Sequence, residues 1–514
     1  MAFILALTPI IVILFLMVGL RWGAARAGAA GYLCALLVAV IFFGAGPILL
    51  AYAHSKALLM TIDVLMIIWA AFLLYRVADE AGAIKTIGRA LPHLTGDRGM
   101  QALIIGWVFA SFLQGVGGFG VPVAVVAPVL VGLGFTPLNA VMIPSIGHTW
   151  GITFGSLGSS FQALMAVTGL PAEMLSPISA VFLSLSGLTG GFLVVHAAAG
   201  WRAVYRLALP VIILGGVMGI VHYFVVISGF WNIGTFIAGI SGLLVVFPLA
   251  RHYPGESGDK GDLDLRALFV AIAGYVGLFL VIMGVQFVKP LYTWLGQITI
   301  SMNFPETSTS NGLLQLASFI TPAGFGRKIT LFRHTGSLLF YAAILASLIY
   351  KKAGLYQKGA LTRIVEGTIR RVLSPSVSIA SMVTMAVIME HAGMTDTLAR
   401  GLSEGVRGFF PAVAPWIGAL GAFMTGSNTN SNVVFGALQL KTAQLLGFNV
   451  SVILAGQTAG AALASVVAPT KVVVGTCTVG MVGKEGEVMR HLLIYIIFQV
   501  SLISVMTVIG VLFK

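Results

Sequence analysis

The sequence predicts an all-α polytopic membrane protein of two inverted-topology repeats, with re-entrant helical hairpins and discontinuous transmembrane helices in about 12–14 spans. Three observations predict this fold: few charged residues, apolar runs along the whole chain, and two similar stretches that interrupt such runs with glycine or amide residues. We expect an N-terminal transmembrane repeat at 1–250, a charged connecting loop at 251–266 and a C-terminal transmembrane repeat at 267–514.

The composition requires a lipid environment. Of the 514 residues, 58% are hydrophobic and only 9% are charged, against roughly 25% charged in a soluble domain. Such a chain cannot cover a water-facing surface, so its outside must contact the lipid bilayer. Apolar runs such as 33–53 and 268–287 are long enough to cross a bilayer as helices. They do not alternate with period two, which excludes a membrane β-barrel.

Basic residues indicate the orientation. The formal charge of +13 lies largely in short loops, where it sets topology and does not indicate nucleic acid binding. Loop 351–371 holds six basic residues against Glu366 and is predicted to be cytoplasmic. The same rule places 76–98 inside and the N-terminus outside the cell membrane. Cys34 and Cys477 have no metal or disulfide spacing, so neither a metal nor a cofactor is expected.

Two stretches of the chain share one pattern. In each, a helix ends in an interrupted segment, a second helix follows to a Gly-Phe pair, and a third helix breaks about twenty residues later. We call the interrupted segments the first tip (115–122) and the second tip (427–432), and the later interruptions the first break (153–160) and the second break (468–471). The first copy starts from an inside loop and the second from a loop predicted to be outside. They should therefore run in opposite directions, as inverted repeats do.

These four segments are the candidate binding site. Broken backbone inside a bilayer costs several kcal/mol per unsatisfied group unless it lines an enclosed or wet cavity. A helix that begins there points free N–H groups and a positive dipole end into the cavity, which favours a carboxylate. Serine and asparagine oxygens could equally coordinate Na⁺. The predicted substrate-binding residues are Gln114, Gly117, Gly118, Gly120, His148, Ser156, Ser159, Ser160, Ser427, Asn428, Thr429, Asn430, Ser431, Asn432, Thr470 and Lys471.

Ionisable residues within apolar segments are costly and mark functional sites. His148, Glu390 and Lys471 are the candidates for ion coupling, because histidine titrates near neutrality and the other two carry charge. The alternatives are a structural role for His148, a position at the water interface for Glu390 and snorkelling of Lys471. Arg327, Lys328, Arg333 and His334 are interpreted as topogenic, and Asp63 is assigned no role.

Several motifs are similar to those of the L-lactate permease family. They occur in the same order over most of 70–250 and 335–514, and are Leu94-Thr-Gly-Asp-Arg-Gly-Met-Gln101, Phe112-Leu-Gln-Gly-Val-Gly-Gly-Phe-Gly120, Leu130-Val-Gly-Leu-Gly-Phe135, Phe423-Met-Thr-Gly-Ser-Asn-Thr-Asn-Ser-Asn432 and Val479-Gly-Met-Val-Gly-Lys-Glu485. The resemblance implies uptake of lactate, glycolate or a similar 2-hydroxy monocarboxylate with a coupling cation, usually a proton.

The chain departs from this family at its tips and breaks. Gln114 and Asn428 stand where the family has Glu and Asp, and a neutral amide cannot carry a proton. Lys471 stands where the family has Ser, and the nearby Lys of the family corresponds to Ser465 here. His148 replaces a small polar residue. The resemblance therefore implies a site biased towards anions, with sodium as an alternative to the proton.

The predicted function is a secondary active transporter, a permease for a small monocarboxylate such as L-lactate or glycolate, working by cation-coupled symport and alternating access. The alternatives are sodium-coupled or exchange transport of another small organic anion, such as a sulfonate or dicarboxylate, and a membrane-embedded enzyme. The enzyme is disfavoured because the sequence shows no phosphate loop, metal-ligand cluster or nucleophile–base pair. The expected partners are the organic anion, a proton or sodium ion and the lipid bilayer, with a homodimer left open by analogy.

Overall fold

The computed structural model describes residues 1–20, 22–118, 120–254, 265–310, 312–325 and 328–512. Most of the predicted connecting loop 251–266, together with Phe119 of the first tip and Arg327, lies outside the described residues. The helices of the first half are α1 (Ala2–Leu14), α2 (Ala24–Ile41), α3 (Pro47–Glu80), α4 (Ala83–Ala90), α5 (Arg98–Gln101), α6 (Ala110–Val116), α7 (Val121–Gly132), α8 (Pro137–Gly147), α9 (Ser159–Thr168), α10 (Ala172–Arg206), α11 (Ala208–Val225) and α12 (Gly234–Ala250). A π-helical segment, Ala102–Phe109, joins α5 to α6.

The second half continues the helical architecture. Its helices are α13 (Leu265–Phe287), α14 (Lys289–Leu295), α15 (Thr335–Lys352), α16 (Ala360–His391), α17 (Met394–Val406), α18 (Phe410–Thr425), α19 (Asn428–Leu446), α20 (Val450–Ala464), α21 (Pro469–Thr478) and α22 (Glu485–Leu512). Ten helical segments of the described chain are long and apolar enough to cross a membrane. The fold is thus the predicted polytopic helical membrane protein.

One of those ten segments must hold two crossings. It runs from Ala208 to Ala250 and has 43 residues, which as one helix would be about 65 Å long, twice the thickness of a bilayer core of about 30 Å. The segment divides at Gly229, whose φ of +88° interrupts the helix. Helices α11 and α12 on either side of this point pack against each other.

A small β-ribbon departs from the all-helical expectation. It lies between α14 and α15 and consists of the strands β1 (Thr299–Ile300), β2 (Asn303–Phe304), β3 (Thr307–Ser308), β4 (Ile320–Thr321), β5 (Gly324–Phe325) and β6 (Ile329–Thr330). The strands pair antiparallel as β1 with β6, β2 with β5 and β3 with β4. Its end packs on the loop between α2 and α3, where the Ser310 N–H donates to the Gly44 carbonyl at 2.8 Å. Strands this short carry almost no periodic signal in the sequence.

The two repeats have the same order of elements. In the first, α6 ends at the first tip, α7 and α8 follow, and the first break precedes α9. In the second, α18 ends at the second tip, α19 and α20 follow, and the second break precedes α21. Helix α7 packs against α21 and α9 packs against α19. Each pair joins one repeat to the other in an equivalent way, as related inverted repeats do.

The repeats lie at the centre of the molecule. Every residue of the apolar window in Arg98–Val116 is buried, and nearly every residue of Val450–Val467. In outer segments such as Ala208–Ala250 and Glu485–Leu512, only 33% and 39% of the apolar window is buried, and the remainder contributes to the lipid-facing surface. The interrupted helices are therefore enclosed by protein, where broken backbone can be satisfied.

Candidate functional site

The first tip is a turn made of glycines. Helix α6 ends at Val116 and α7 begins at Val121. Gly118 and Gly120 adopt left-handed φ angles of +54° and +86°. A Cβ on Gly118 would overlap the Ser156 hydroxyl oxygen. Glycine is thus required at this position both for its backbone conformation and for the close approach of the first tip to the first break.

The first break is strained backbone inside the protein. Between α8 and α9, Ser156 and Leu157 have φ angles of +47° and +55°, a conformation that costs a non-glycine residue about 1–3 kcal/mol and clusters at functional sites. Both residues are buried. The Gln114 side chain lies against this segment, because its Nε2 atom is 2.8 Å from where a Cβ on Gly155 would stand.

The second tip differs from its prediction as a polar turn. The turn itself is confined to Gly426, with a φ of +68°, and Ser427, whose side chain caps the next helix by accepting from the Asn430 N–H at 3.2 Å. The residues from Asn428 to Asn432 form the first turns of α19. The capping hydroxyl explains the difference, since it satisfies an N–H group that would otherwise be free at the helix start.

The second break carries the lysine. Helix α20 ends at Ala464, and Pro469 begins α21 after an extended Ala468. The half-buried Lys471 donates from Nζ to the Ser465 hydroxyl oxygen at 2.9 Å. Thr470 is exposed, and a Cβ on Gly426 would overlap its hydroxyl oxygen, so the second tip touches the second break much as the first tip touches the first break.

A hydrogen-bond network joins the two repeats. Asn428 Nδ2 donates to the Thr153 hydroxyl at 3.0 Å, and Thr153 contacts the Thr458 hydroxyl at 3.2 Å. Asn432 Nδ2 donates to the Thr458 hydroxyl at 2.9 Å and to the Ser160 carbonyl at 3.1 Å. All these residues are buried. The first break is therefore bordered by both tips, by Gly118 at Ser156 and by Asn428 at Thr153.

Two helix starts meet at this network. The Ser160 hydroxyl, in the first turn of α9, lies 2.9 Å from the Thr429 hydroxyl, in the first turn of α19. The free N–H groups and positive dipole ends of both helices are thus side by side, an arrangement that stabilises a bound anion. His148, at the end of α8, is buried, and its Nδ1 atom lies 2.5 Å from the Pro144 carbonyl oxygen.

Several polar atoms of the site have no hydrogen-bond partner among the described residues. They are all buried, and comprise His148 Nε2, Ser159 Oγ and the amide oxygens of Asn428, Asn430 and Asn432. A buried polar atom without a partner costs about 1–3 kcal/mol. Asn428 and Asn432 lie together at the first break, where their NH₂ groups bond to Thr153 and to the Ser160 carbonyl. Their unpartnered oxygens indicate a ligand site there.

Some predicted residues serve the packing of the repeat. Gly117 faces the Tyr75 ring, and Gly120 faces Val474 of α21. The Ser431 hydroxyl donates to the Gly418 carbonyl at 2.7 Å, and Asn430 Nδ2 donates to the Ser378 hydroxyl at 2.9 Å. These contacts hold the second tip against neighbouring helices.

Glu390 lies outside the network. This residue stands one position before the end of α16 and its side chain is 41% exposed. Its carboxylate lies 3.6 Å from the Lys56 ammonium. It lines a separate polar cavity of about 340 Å³ together with Thr321, Asp396 and Lys441. The structure does not bring this predicted coupling residue to the tips or breaks.

Two features escaped the sequence reasoning. Thr458 is central to the network although it lies in an apolar helix. In the sequence it is marked only by its neighbour Gln457, with which it makes two consecutive polar residues. Asp63 is buried in α3 and accepts from Gln162 Nε2 at 2.5 Å, while His334 Nε2 lies 2.9 Å from its other oxygen. Gln162 belongs to α9, so this carboxylate ties α3 and the start of α15 to the helix that follows the first break.

Together these features define a polytopic membrane transporter with discontinuous helices that meet at an enclosed polar site. The chain belongs to the L-lactate permease family, whose family model matches residues 2–513. This match confirms the resemblance found in the motifs.

Relatives are similar over most of their length. The glycolate permease GlcA of Escherichia coli (strain K12) is 26% identical, with 98% of this chain and 94% of that protein covered. An L-lactate permease of the same organism is 28% identical, with coverage of 86% and 83%. That of Bacillus subtilis (strain 168) is 27% identical, with coverage of 98% and 94%. Among solved structures, the Alcanivorax borkumensis YdaH transporter is 14% identical over 88% of this chain and 86% of that chain, with a TM-score of 0.48.

Proposed function

We propose that the protein is a secondary active transporter that carries a small 2-hydroxy monocarboxylate, such as L-lactate or glycolate, across the cell membrane together with a cation. Relatives named for L-lactate and glycolate cover nearly the whole chain. The observation that carries the proposal is the buried polar network in which the first break meets α19 of the other repeat. Such a network is of little use to a lipid-embedded bundle unless a polar solute enters it.

The substrate carboxylate has a receptor at this network. The first turns of α9 and α19 present free N–H groups around Ser160 and Thr429, which lie 2.9 Å apart. Each helix end stabilises a negative charge by roughly 0.3–1 kcal/mol, and by up to about 2 kcal/mol in a partly buried site. Lys471 adds a positive charge on the side of the second break. The balance of charge therefore favours a small anion.

Alternating access follows from where the contacts lie. The first break touches both the first tip and α19, so a shift of one repeat against the other would exchange these contacts and open the site to the opposite side. Transporters built on inverted repeats use such rocking around a central site. The positive φ angles of Ser156 and Leu157 show that the backbone is strained in the first break, whose contacts this shift would change.

The test is uptake into proteoliposomes that contain the purified protein. We expect L-lactate and glycolate to accumulate when an inward cation gradient is imposed, and acetate, which lacks the 2-hydroxyl group, to accumulate less. Liposomes without protein and a Lys471→Ala variant are the controls. Absence of uptake and of binding for every 2-hydroxy monocarboxylate offered would refute the proposal.

A second candidate is exchange of another small organic anion, such as a sulfonate or dicarboxylate. It is favoured by the neutral residues at the tips, since Gln114 and Asn428 cannot carry a coupling proton. Counterflow separates the two candidates, because an exchanger moves labelled anion only when unlabelled anion is present on the other side. Net uptake driven by a cation gradient alone excludes obligatory exchange.

The orientation and the assembly are further parts of the proposal. The N-terminus lies outside the cell, and the segment 351–371, whose six basic residues flank or lie in the turn between α15 and α16, lies in the cytoplasm. The protein is inserted in the plasma or inner membrane. A homodimer is the assembly to test by cross-linking in membranes.

A further inference from the structure

Two asparagines on one face of α19 point towards the first break. Asn428 and Asn432 are four residues apart, so their side chains are separated by about 40° around the helix. Their exposed fractions are 2% and 0%. Both bond to residues around the first break, Asn428 to Thr153 and Asn432 to the Ser160 carbonyl.

The hydrogen bonds define which way each amide faces. A carbonyl oxygen can only accept, so the Asn432 group directed at Ser160 must be its NH₂. The Thr153 hydroxyl lies 3.3 Å from the Thr458 carbonyl and donates its hydrogen there. It therefore accepts from Asn428 Nδ2 at 3.0 Å. In both residues the NH₂ group donates hydrogen bonds to the protein, and the side-chain carbonyl oxygen accepts none among the described residues.

These two oxygens have no donor among the described residues. They have to find a positively charged or hydrogen-donating ligand to recover about 1–3 kcal/mol each. The single hydroxyl hydrogen of a 2-hydroxy acid can serve only one of them. A cation can accept a lone pair from each of them.

The chemistry selects a monovalent metal ion. The two tips and two breaks contain neither Asp nor Glu, so the neutral oxygens cannot take up a proton near pH 7 and cannot balance a divalent charge. Carbonyl and hydroxyl oxygens suit hard cations, and broken helices of secondary transporters use such oxygens for Na⁺.

We propose that Asn428 and Asn432 hold a sodium ion between α19 and the first break. The assignment rests on the proposed function, in which a cation enters with the substrate, and it names that cation and its site. It moves the coupling role from Glu390, which lies outside the network, to neutral oxygens within it. The ion would sit beside the two helix starts that receive the carboxylate and would offset its charge.

Sodium binding can be measured without substrate. The melting temperature of the purified protein is recorded against NaCl, with KCl and choline chloride at equal ionic strength. A ligand that binds only the folded protein raises its melting temperature, so we expect a saturable rise with Na⁺ only. An equal rise with K⁺ or choline, or none with Na⁺, overturns the proposal and leaves water as the partner of the two oxygens.

Variants locate the ion. Asn428→Ala and Asn432→Ala are expected to weaken the apparent Na⁺ affinity at least tenfold. Asn139→Ala is the matched control, since this asparagine lies in the first turn of α8 and belongs to neither a tip nor a break. It should stay within about twofold of the wild-type affinity. A loss in Asn139→Ala as large as in Asn428→Ala and Asn432→Ala overturns the assignment.

Misfolding of the alanine variants would not end the test. Asn428→Asp keeps an oxygen in place and adds a negative charge, so it should bind Na⁺ at least as tightly as the wild type, and weaker binding contradicts the site.

Failure of the proposed function has a different signature, in which the wild type binds Na⁺ but no 2-hydroxy monocarboxylate. If lactate uptake depends on the pH gradient alone and NaCl does not raise the melting temperature, the sodium site is refuted while the proposed transport function stands.

Discussion

Replacement of Lys471 by alanine tests the anion receptor most directly. Lys471 is half-buried in the second break, and its Nζ donates to the Ser465 hydroxyl at 2.9 Å. Ser465 also donates to the Ala462 carbonyl at 3.0 Å, so the Lys471→Ala variant leaves no stranded donor behind. The change should therefore weaken anion binding with little cost to folding.

The magnitude follows from the kind of interaction removed. A hydrogen bond to a charged group contributes about 1.5–3 kcal/mol. Each 1.4 kcal/mol changes an equilibrium constant tenfold. We therefore expect the Kd for glycolate to rise about 10- to 100-fold in Lys471→Ala. Lys471→Arg, which keeps the charge, should recover part of this loss.

The assay is glycolate binding to the purified protein by titration calorimetry, with Glu390→Ala as the control. Glu390 is 41% exposed and its pair with Lys56 spans 3.6 Å. Exposed ion pairs contribute about 0–1 kcal/mol, and this one lies outside the network, so the glycolate Kd of Glu390→Ala should stay within about twofold of the wild type. Equal affinities in the two variants would refute the role of Lys471.

Four further predictions concern the tip, the coupling, the stability and the orientation. Gly118→Ala should abolish uptake while helix content is retained, since its Cβ would meet Ser156 at a φ of +54°. Asn428→Asp places a titratable acid at the second tip and should make lactate uptake depend on a pH gradient. Asp63→Ala removes one partner of a buried pair and should lower stability by about 3–5 kcal/mol, seen in thermal melting. Gln357→Cys should react with a membrane-impermeant maleimide only from the cytoplasmic side.

Each of these predictions has an outcome that contradicts it. Uptake by Gly118→Ala at the wild-type rate would show that the first tip does not need its close approach. Unchanged pH dependence in Asn428→Asp would separate this position from coupling. A normal melting curve for Asp63→Ala would make its buried bonds dispensable, and labelling of Gln357→Cys from outside would invert the topology.

Several parts of the site could be predicted because they are local. Glycines at 117, 118 and 120 cannot continue a helix cheaply, and the positive φ at Gly118 and Gly120 agrees with that reasoning. The sequence predicts the position of the second tip but not its conformation. The run from Asn428 to Asn432 is polar enough for a loop, yet it is helical because the Ser427 side chain caps the helix.

Other parts could not be predicted because they depend on distant residues. Thr153 and Thr458 are 305 positions apart, and nothing in the sequence of either segment indicates that their hydroxyls meet at 3.2 Å. The sequence around Asp63 does not indicate its partners, because Gln162 and His334, which contact its carboxylate in the structure, are 99 and 271 positions away. Glu390 is typical in sequence of an intramembrane acid, but in the structure it lines a separate cavity near the end of α16.

The amino-acid sequence alone determined that the protein lives in a bilayer, that its helices are interrupted at two tips and two breaks, and that those segments lack acids. These are properties of short stretches, set by hydropathy and backbone preference. Only the tertiary structure decided which interruptions face each other, which amide oxygens are left without a donor and which charged groups lie elsewhere. Those facts depend on packing between segments hundreds of residues apart, where a hydrogen bond forms or fails within a few tenths of an ångström.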